Sequence, residues 1–565
     1  MARARHDYDW IVVGSGFGGA VAALRLAEKG YRVAVLESGS RFEDADFAET
    51  TWRMRRYFWM PRLGMRGIFR LTVFKHVFIA SGSGVGGGSL GFANTLYRAR
   101  PAFFKDPQWA ELAEWESELA PHYDTAERML GVVEYEGLGP ADRLLREYGE
   151  EIGVGDTFAP TRVGVYFGEP GKAADDPYFG GEGPERTGCL LCGNCMVGCR
   201  YGAKNTLAKN YLWFAERLGA QVFPERQVTE IRPLGALDGC DGYRVASERS
   251  GSWVRKRRRT LNARGVVVAA GALGTNKLLA ECRHSGALPN LSPRLGEVVR
   301  TNSESIQAVT ARDDAHDFSR SIAITSSIYP DPDTHIEVVT YGRGGDAISR
   351  LFTIMTGEGT RLTRPFKWLA ALARHPLKTA RLLVPHAWSR RTIILLVMQS
   401  LDTAMSLRAK PRLLGRGIRL QTEQDPDRPN PTFIPAADKA ARWFARRTGG
   451  IAQSGITESV FNIPTTAHIL GGAVIGETPE TGVVDAANRV HGYEGLLVCD
   501  GAAIPANPGV NPSLTITAKA EHAMSLIPPS PGAEPGRLPP AARPAASGAS
   551  AAPGPATRTE PSPAR

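Results

Sequence analysis

The chain of 565 residues carries 68 Lys and Arg against 58 Asp and Glu, a formal net charge of +10, and 42% of its residues are hydrophobic. This composition is typical of a soluble globular protein of more than one domain. Seven cysteines, four of them crowded together, are not the pattern of a disulfide-stapled secreted protein. We find no signal peptide, no apolar run long enough to span a bilayer and no nucleic-acid motif, so we expect a cytoplasmic protein.

The N-terminal segment has the pattern of a nucleotide-binding βαβ unit. A short apolar run at residues 9–13 predicts a buried strand, GSGFGG follows it, and an Ala- and Leu-rich helix ends at Gly30 before a second strand at 31–37. In G-x-G-x-x-G the glycines allow a tight turn, a close approach to a pyrophosphate, and close helix–strand packing. The acidic residue that ends the second strand can accept hydrogen bonds from ribose hydroxyls. The motif alone leaves FAD and NAD open, and its predicted cofactor-binding residues are Gly14, Ser15, Gly16, Phe17, Gly18, Gly19 and Glu37.

Two stretches combine basic and aromatic residues without a single acid. Residues 52–75 carry seven Lys and Arg, and residues 361–391 carry eight. Basic and aromatic side chains together suit an anionic lipid surface, so we expect a possible peripheral membrane contact. The simpler interpretation, which we favour, is a solvated basic face with its aromatic residues in the core.

A second glycine-rich loop lies at residues 81–94, SGSGVGGGSLGFAN, with six glycines. Such a loop lets the backbone approach a flat ring or a phosphate closely. A third strand–glycine–helix pattern follows at 263–281 and includes Gly271. We therefore expect both segments to contribute to the same cofactor site.

The four crowded cysteines form the run CLLCGNCMVGC, with the C-x2-C-x2-C-x3-C spacing of a bacterial iron–sulfur site. Three interpretations stay open: an iron–sulfur cluster, a structural zinc, or a reduced loop without metal. The absence of a proline after the last cysteine weakens a strict ferredoxin interpretation. The candidate metal ligands are Cys189, Cys192, Cys195 and Cys199.

Three linked pieces near the C-terminus carry further candidates. They are TAHILGGAVIG with His468, VCDGAAIP with Asp500 and Gly501, and the segment 506–524 with Asn511. After them the composition changes to Pro, Ala, Ser and Gly, which predicts a disordered tail over 527–565.

Taken together, these motifs resemble the glucose–methanol–choline (GMC) oxidoreductases, which bind FAD, over residues 8–526. Within that family the chain looks most like the cholesterol oxidases of the GMC type, on stretches such as GSGVGGGSLGFANTLY, NIPTTAHILGGAVIG and DGAAIPANPGVNPSLTITA. The resemblance implies an α/β fold, with a discontinuous Rossmann-like FAD-binding domain and an α+β substrate domain built on an antiparallel sheet. The expected divisions are residues 1–300 (cysteine-rich segment 186–206), 301–462 for the substrate, and 463–526 returning to the FAD domain.

The resemblance also implies roles for particular residues. His468 would handle the proton of the substrate hydroxyl, and Asn511 would hydrogen-bond the substrate oxygen or the flavin edge. Asp500 and Gly501 would contact the flavin chain. The flavin ring would be lined by Gly86, Gly87, Gly88, Ser89 and Asn94.

Cholesterol oxidases of this type also move a double bond, which needs a carboxylate base in an apolar pocket. Glu337 in THIEVVTYG is our candidate for that base, and Glu304 in NSES is a weaker one. The expected activity is oxidation of a 3β-hydroxysteroid, with oxygen as acceptor. The alternatives are an FAD dehydrogenase of another bulky alcohol, relaying electrons through a cysteine-bound cluster, and a non-catalytic steroid-binding flavoprotein.

Overall fold

A computed structural model describes residues 6–313, 315–384, 387–412, 417–534 and 536–543. The helices are α1 Phe17–Glu28, α2 Met54–Tyr57, α3 Pro101–Phe104, α4 Trp115–Leu130, α5 Pro140–Glu151, α6 Tyr211–Arg217, α7 Ala272–His284, α8 Thr363–Arg374, α9 Pro376–Leu383, α10 Trp388–Arg391, α11 Pro435–Arg447, α12 Ile456–Phe461 and α13 Ser513–Ser525. The strands are β1 Tyr8–Val13, β2 Val33–Leu36, β3 Trp59–Met60, β4 Met65–Arg66, β5 Phe69–Val73, β6 Phe78–Gly82, β7 Val133–Glu134, β8 Ala159–Pro160, β9 Arg162–Val163, β10 Ala173–Ala174, β11 Arg186–Thr187, β12 Gln221–Phe223, β13 Arg226–Pro233, β14 Tyr243–Arg249, β15 Arg259–Val268, β16 Val299–Arg300, β17 Ser305–Thr310, β18 Ile324–Asp331, β19 Thr334–Val339, β20 Phe352–Ile354, β21 Thr392–Gln399, β22 Met405–Pro411, β23 Ile418–Gln424, β24 Ile451–Gly455, β25 Thr465–Thr466, β26 Leu470–Gly471 and β27 Leu496–Val498.

The nucleotide-binding domain is built on a seven-stranded sheet with the order β12-β2-β1-β15-β14-β13, and β27 pairs with β15. Strand β1 lies parallel to β2 and β15. Its last three residues, Ile11, Val12 and Val13, are buried and form a continuous apolar run, because helices cover such parallel strands on both faces. Strand β27 is also parallel to β15, with Val266 opposite Leu496. The C-terminal return therefore joins the N-terminal sheet, which confirms the predicted discontinuous domain.

The substrate domain is built on a second seven-stranded sheet, entirely antiparallel, with the order β20-β24-β17-β21-β19-β18-β8. Side chains alternate across its central strand β21. Ile393, Leu395 and Val397 pack towards α11 and α5. Ile394 and Leu396 belong to the cluster on the other face, and both line the main cavity. The sheet therefore buries one face in a core and offers the other as an apolar wall.

Part of the predicted disordered tail, residues 527–565, packs on the nucleotide-binding domain. The Arg25 guanidinium of α1 donates to the carbonyl of Ala542 at 2.9 Å, and Leu538 is buried. The tail itself lacks the apolar residues to form a core, but α1 and neighbouring elements supply the surface that covers Leu538. Composition alone did not reveal this contact, and residues 544–565 lie outside the described part of the chain.

Within the residues that the structure describes, no helix is both long and apolar enough to cross a membrane. The predicted cytoplasmic location stays a prediction.

Candidate active site

The turn between β1 and α1 is closed by glycines that touch other backbone segments. A Cβ on Gly14, which has φ +100°, would lie 2.2 Å from the Ala269 carbonyl oxygen. A Cβ on Gly18 would lie 1.5 Å from the Cys499 carbonyl oxygen, and one on Gly19 would lie 2.1 Å from the Gly14 carbonyl oxygen. These three glycines are therefore required for packing.

Gly16 differs from its neighbours in the motif. Its φ of −70° suits any residue, and the nearest atom to a Cβ placed there is Gly87 Cα at 4.0 Å. Gly16 also precedes α1 without a side-chain cap, so the first amides of the helix are free to bind an anion. Gly16 and Phe17 line the main cavity. A side chain on Gly16 would therefore enter the cavity without meeting the protein, and it would occupy space that a ligand needs.

The second glycine loop packs directly on the first. Gly87 has φ +53°, and a Cβ there would lie 2.5 Å from Gly16 Cα. The Gly86 amide donates to Ser15 Oγ at 3.1 Å, and Ser89 Oγ donates to the Gly86 carbonyl at 2.7 Å. Gly87 and Gly88 line the cavity, whereas Gly86 and Ser89 support the loop from behind.

Glu37 lies where the sequence predicted it, at the end of β2, and it lines the cavity. Its carboxylate accepts hydrogen bonds from Ser15 N at 3.0 Å, Ser15 Oγ at 2.8 Å and Gly39 N at 2.7 Å. Glu37 therefore fixes the glycine turn, in addition to the predicted role towards a ribose.

A substitution pair separates the two functions of the glycines. Gly18→Ala should prevent stable folding, because its Cβ would overlap a backbone carbonyl that cannot move cheaply. Gly16→Ala should fold with a free energy of unfolding of the apoprotein within about 0.5 kcal/mol of wild type, and bind FAD at least about 10-fold more weakly. Thermal unfolding and flavin fluorescence titration measure the two effects. Equal FAD affinity in Gly16→Ala would contradict the assignment.

The main cavity measures about 1590 Å³, above the roughly 300–1,000 Å³ of a typical small-molecule pocket. It therefore has room for a cofactor and a bulky second ligand. Its wall away from the glycine loops is apolar. The wall comes from the second sheet, the connection between β19 and β20, the chain between β2 and β6, and the cysteine-rich segment, and it includes Tyr57, Phe58, Phe69, Met196, Ile306, Ile324, Val339, Ile348, Ile394 and Leu396.

Polar groups for a flavin lie between the glycine loops and the C-terminal return. Gly271, Asp500 and Gly501 line the cavity. Asp500 accepts from Thr275 Oγ1 at 2.5 Å and from Ala502 N at 2.8 Å, and burial raises the pKa of its carboxyl to about 6. Asn94, predicted to line the flavin ring, is fully buried and does not line the cavity, unlike its neighbours Ala93 and Thr95, and its side-chain amide has no partner on either atom among the described residues.

These residues fit FAD. A glycine turn without side chains and the free amides at the start of α1 are what the diphosphate of a flavin dinucleotide needs. FAD supplies a hydride acceptor when it is bound.

His468 lies in the loop between β25 and β26 and lines the cavity. Its Nδ1 contacts the Glu304 carboxylate, which is completely buried and also accepts from Ala467 N at 2.8 Å. The His468 amide donates to Thr466 Oγ1 at 2.8 Å. Because Nδ1 is engaged, Nε2 is the ring nitrogen left to act on a ligand.

Asn511 and Glu337 form a second pair. Asn511 lines the cavity just before α13, and its Nδ2 donates to Glu337 Oε2 at 3.3 Å. Glu337 lies on the cavity side of β19, where it is fully buried behind Asn511, and burial raises the pKa of its carboxyl to about 8. Glu337 Oε1 and Asn511 Oδ1 have no partners among the described residues.

The cysteine-rich segment lies between the glycine loop and the second sheet. Cys189, Cys195 and Cys199 pack against a small apolar cluster. Burial, and then the charge of a neighbouring cysteine, raise the pKa of the Cys189 thiol to about 12. Across the described residues, no set of three or more Cys, His, Asp and Glu is placed to hold a metal ion. Metal binding by Cys189, Cys192, Cys195 and Cys199 stays a prediction.

Sequence reasoning missed two features of this site. Glu304, weighed only as a base for isomerisation, contacts His468 instead. Lys204 was not considered, yet its buried ammonium donates to the carbonyls of Leu90, Phe92 and Cys195 at 2.7–3.0 Å and ties the cysteine-rich segment to the glycine loop. Nothing in the local sequence marks either contact.

Comparisons with known proteins concern the whole chain. Residues 9–345 match the family model described as FAD dependent oxidoreductase, and residues 403–520 match the model described as GMC oxidoreductase. The chain is 51% identical over 535 residues to a cholesterol oxidase of Mycobacterium tuberculosis (strain ATCC 25618 / H37Rv), covering 92% of this chain and 91% of the relative. It is 46% identical over 533 residues to a cholesterol oxidase of Acinetobacter baumannii, covering 94% and 96%.

Among solved structures, pyridoxine 4-oxidase from Mesorbium loti matches with a TM-score of 0.59 at 16% identity, over 92% of this chain and 98% of that one. A fungal aryl-alcohol oxidase matches with a TM-score of 0.56 at 13% identity, over the same shares. Both likenesses concern the fold. The sequence relatives and the family models go further: the chain belongs to the GMC family of FAD-dependent oxidoreductases.

Proposed function

We propose that this enzyme oxidises the 3β-hydroxyl of a sterol such as cholesterol to the ketone, with FAD as hydride acceptor and oxygen as final acceptor. The observation that carries the proposal is a histidine, paired with a buried glutamate, in a cavity with one extended apolar wall. The two relatives named cholesterol oxidase support both the substrate and the oxidant.

His468 is the group proposed to take the proton. Its Nε2 accepts the proton of the substrate hydroxyl as the carbinol hydrogen leaves. Glu304 keeps the ring oriented through Nδ1 and stabilises the positive charge that develops on it. Asn511 lies in the same cavity and hydrogen-bonds the substrate oxygen, which fixes the direction of the hydroxyl.

The apolar wall is proposed to hold the steroid rings. A rigid ring system matches a wall built on sheet β17–β21–β19, because the backbone hydrogen bonds of a sheet keep the wall from collapsing. Ile394, Leu396 and Val339 present consecutive apolar side chains to the cavity. Binding follows from burial of apolar surface at roughly 25 cal/mol per Å².

Glu337 is the proposed base for moving the Δ5 double bond to Δ4. A carboxylate with a pKa near 8 is basic enough to remove a proton next to the new ketone and return it to the second carbon. Asn511 donates a hydrogen bond to Glu337, so the same asparagine is proposed to contact both the substrate oxygen and the isomerisation base.

Comparison of substrates tests the proposal. Purified enzyme is assayed with cholesterol, its 3α-epimer and a long-chain primary alcohol, with both oxygen consumption and ketone formation measured. We expect kcat/KM for cholesterol to exceed the other two by at least about 100-fold, since only the 3β-hydroxyl meets His468 when the rings fill the cavity. A preference for the primary alcohol would overturn the substrate assignment.

A second candidate function is a dehydrogenase that passes electrons to a non-oxygen acceptor through metal held by the cysteine-rich segment. The observation that favours it is the contact of Lys204 with both that segment and the glycine loop. Measurement of iron, acid-labile sulfide and zinc in the purified protein separates the candidates. Stoichiometric iron and sulfide with slow turnover in oxygen would favour the dehydrogenase, and metal-free protein with rapid peroxide formation would exclude it.

A peripheral membrane contact is also proposed, through the surface formed by α8 and α9. Leu362, Phe366 and Leu377 on this surface are 80%, 73% and 78% exposed, and residues 361–391 contain no acid. Trp368 Nε1 donates to Thr353 of β20 at 2.9 Å, and Phe352 of the same strand lines the cavity. An apolar, basic surface beside the apolar end of the cavity is where a sterol would enter from an anionic bilayer.

We expect Arg374, Lys378 and Arg381 together replaced by Gln to bind anionic vesicles at least about 10-fold more weakly, because each basic residue near such a surface contributes about 1 kcal/mol. Vesicle co-sedimentation measures this, and turnover of detergent-solubilised cholesterol should not change. The matched control replaces Lys105, Lys172 and Lys439 by Gln. These three lysines are exposed on other parts of the surface, so the control loses the same charge. Equal binding of the two triple variants would refute the contact.

A further inference from the structure

Arg70 places a positive charge in the wall of the cavity. It lies on β5, opposite Ser81 of β6, and its side chain lines the cavity together with Glu37. Among the described residues, no carboxylate or carbonyl accepts a hydrogen bond from its guanidinium. Burial lowers the pKa of Arg70, and the charge of Glu37 opposes that shift. The side chain is only partly buried, and it faces the cavity, where a negatively charged ligand group can accept its hydrogen bonds.

Glu37 does not serve as that partner. Its carboxylate accepts hydrogen bonds from Ser15 on one oxygen and from Ser38 Oγ at 3.3 Å and Gly39 N at 2.7 Å on the other, and none from Arg70. The interaction between Glu37 and Arg70 acts through space, without a hydrogen bond. It places Arg70 at the adenosine half of the dinucleotide site, because Glu37 ends the strand that recognises the ribose.

Lys277 adds a second positive charge nearby. It lies on α7 and lines the same cavity. Burial lowers the pKa of its ammonium, Arg412 and Arg70 lower it further, and Glu281 opposes them. Arg70 and Lys277 therefore repel one another. Both line the cavity that Gly16 and Phe17, at the uncapped start of α1, also line. Such a region favours an anion.

We propose that Arg70 binds the diphosphate of FAD, with Lys277 as a weaker second contact. The G-x-G-x-x-G turn supplies backbone amides to the diphosphate, and Arg70 of β5 supplies a guanidinium. Among the described arginines that line the cavity, Arg70 is the only one whose guanidinium has no protein hydrogen-bond partner. The inference rests on FAD binding, which family membership establishes, and not on the sterol substrate, so the two can fail independently.

The test measures cofactor affinity rather than turnover. Full-length apoprotein is titrated with FAD at several salt concentrations, and flavin fluorescence gives Kd. A hydrogen bond to a charged group changes binding affinity by about 10- to 100-fold. Arg70→Gln should therefore raise the Kd for FAD by that factor and make this Kd less dependent on salt. Arg70→Lys keeps the charge and should stay within about 5-fold of wild type.

The control is Arg258→Gln, since Arg258 lines the same cavity but is exposed and already paired with Glu248 at 3.1 Å. Its FAD affinity should change less than about 2-fold. Competition by ADP and by adenosine identifies the ligand group: Arg70→Gln should weaken ADP and leave adenosine unchanged. The proposal is overturned if Arg70→Gln binds FAD like wild type, or if Arg70→Lys loses as much affinity as Arg70→Gln. Should Arg70→Gln fail to fold, Arg70→Lys and the salt dependence of wild type still decide.

Discussion

Replacing His468 by alanine should lower kcat for 3β-hydroxysteroid oxidation by about 10²- to 10⁴-fold, the usual contribution of a positioned general base. The physical reason is that the hydroxyl proton then loses its proposed acceptor, and Glu304, which contacted His468 Nδ1, is completely buried. Stopped-flow measurement of flavin reduction isolates this step from oxygen chemistry. FAD content and sterol affinity should stay close to wild type.

Glu304→Gln is the companion variant, because Glu304 acts as a positioning residue through His468. We expect a smaller loss, about 10- to 100-fold, together with a shift of the pH profile of flavin reduction, which a merely structural role would not produce. If His468→Ala kept more than about a tenth of the wild-type rate of flavin reduction, the assignment of the base would be wrong.

Replacing Glu337 by glutamine should stop isomerisation while oxidation continues. The amide has nearly the same shape but cannot accept the proton, so the Δ5-3-ketone should accumulate and its conversion should slow by about 10²- to 10⁴-fold. Chromatographic separation of the Δ5 and Δ4 ketones measures both steps in one reaction. Glu458→Gln is the matched control: Glu458 is also buried, with its pKa raised to about 7, but it hydrogen-bonds Gln307, whereas Glu337 hydrogen-bonds Asn511 of the cavity wall.

The pH dependence of isomerisation follows from the raised pKa of Glu337. Burial disfavours the charged carboxylate, so the group stays protonated up to about pH 8. Only the unprotonated form is a base. The isomerisation rate should therefore rise about tenfold per pH unit well below pH 8 and level off above it. A rate that falls as pH rises through this window would contradict the assignment.

The parts of the molecule that were predictable from the sequence are those whose residues lie close together in the chain. The turn at Gly14–Gly19 and Glu37 belong to one βαβ unit with a recognisable spacing, although the steric reasons for Gly14 and Gly18 lie in the distant segments of Ala269 and Cys499. The discontinuous domain was also predictable, because the resemblance extends to the C-terminal segment that forms β27.

The remaining features depend on contacts between distant segments. Glu304 meets His468 across 164 positions, and Glu337 meets Asn511 across 174. Arg70 belongs to a stretch that we interpreted as a lipid or solvent surface, yet its side chain lines the cavity. No local period or spacing distinguishes such residues from ordinary surface acids and bases, because their neighbours are set only by the tertiary fold.

An anaerobic titration of the purified enzyme with cholesterol tests the central claim most directly. The account predicts that the visible flavin absorbance bleaches with one equivalent of cholesterol, and that admitting oxygen restores it with formation of peroxide. Flavin bands that stay unchanged at saturating cholesterol would contradict sterol oxidation, and would leave a GMC enzyme that acts on another alcohol.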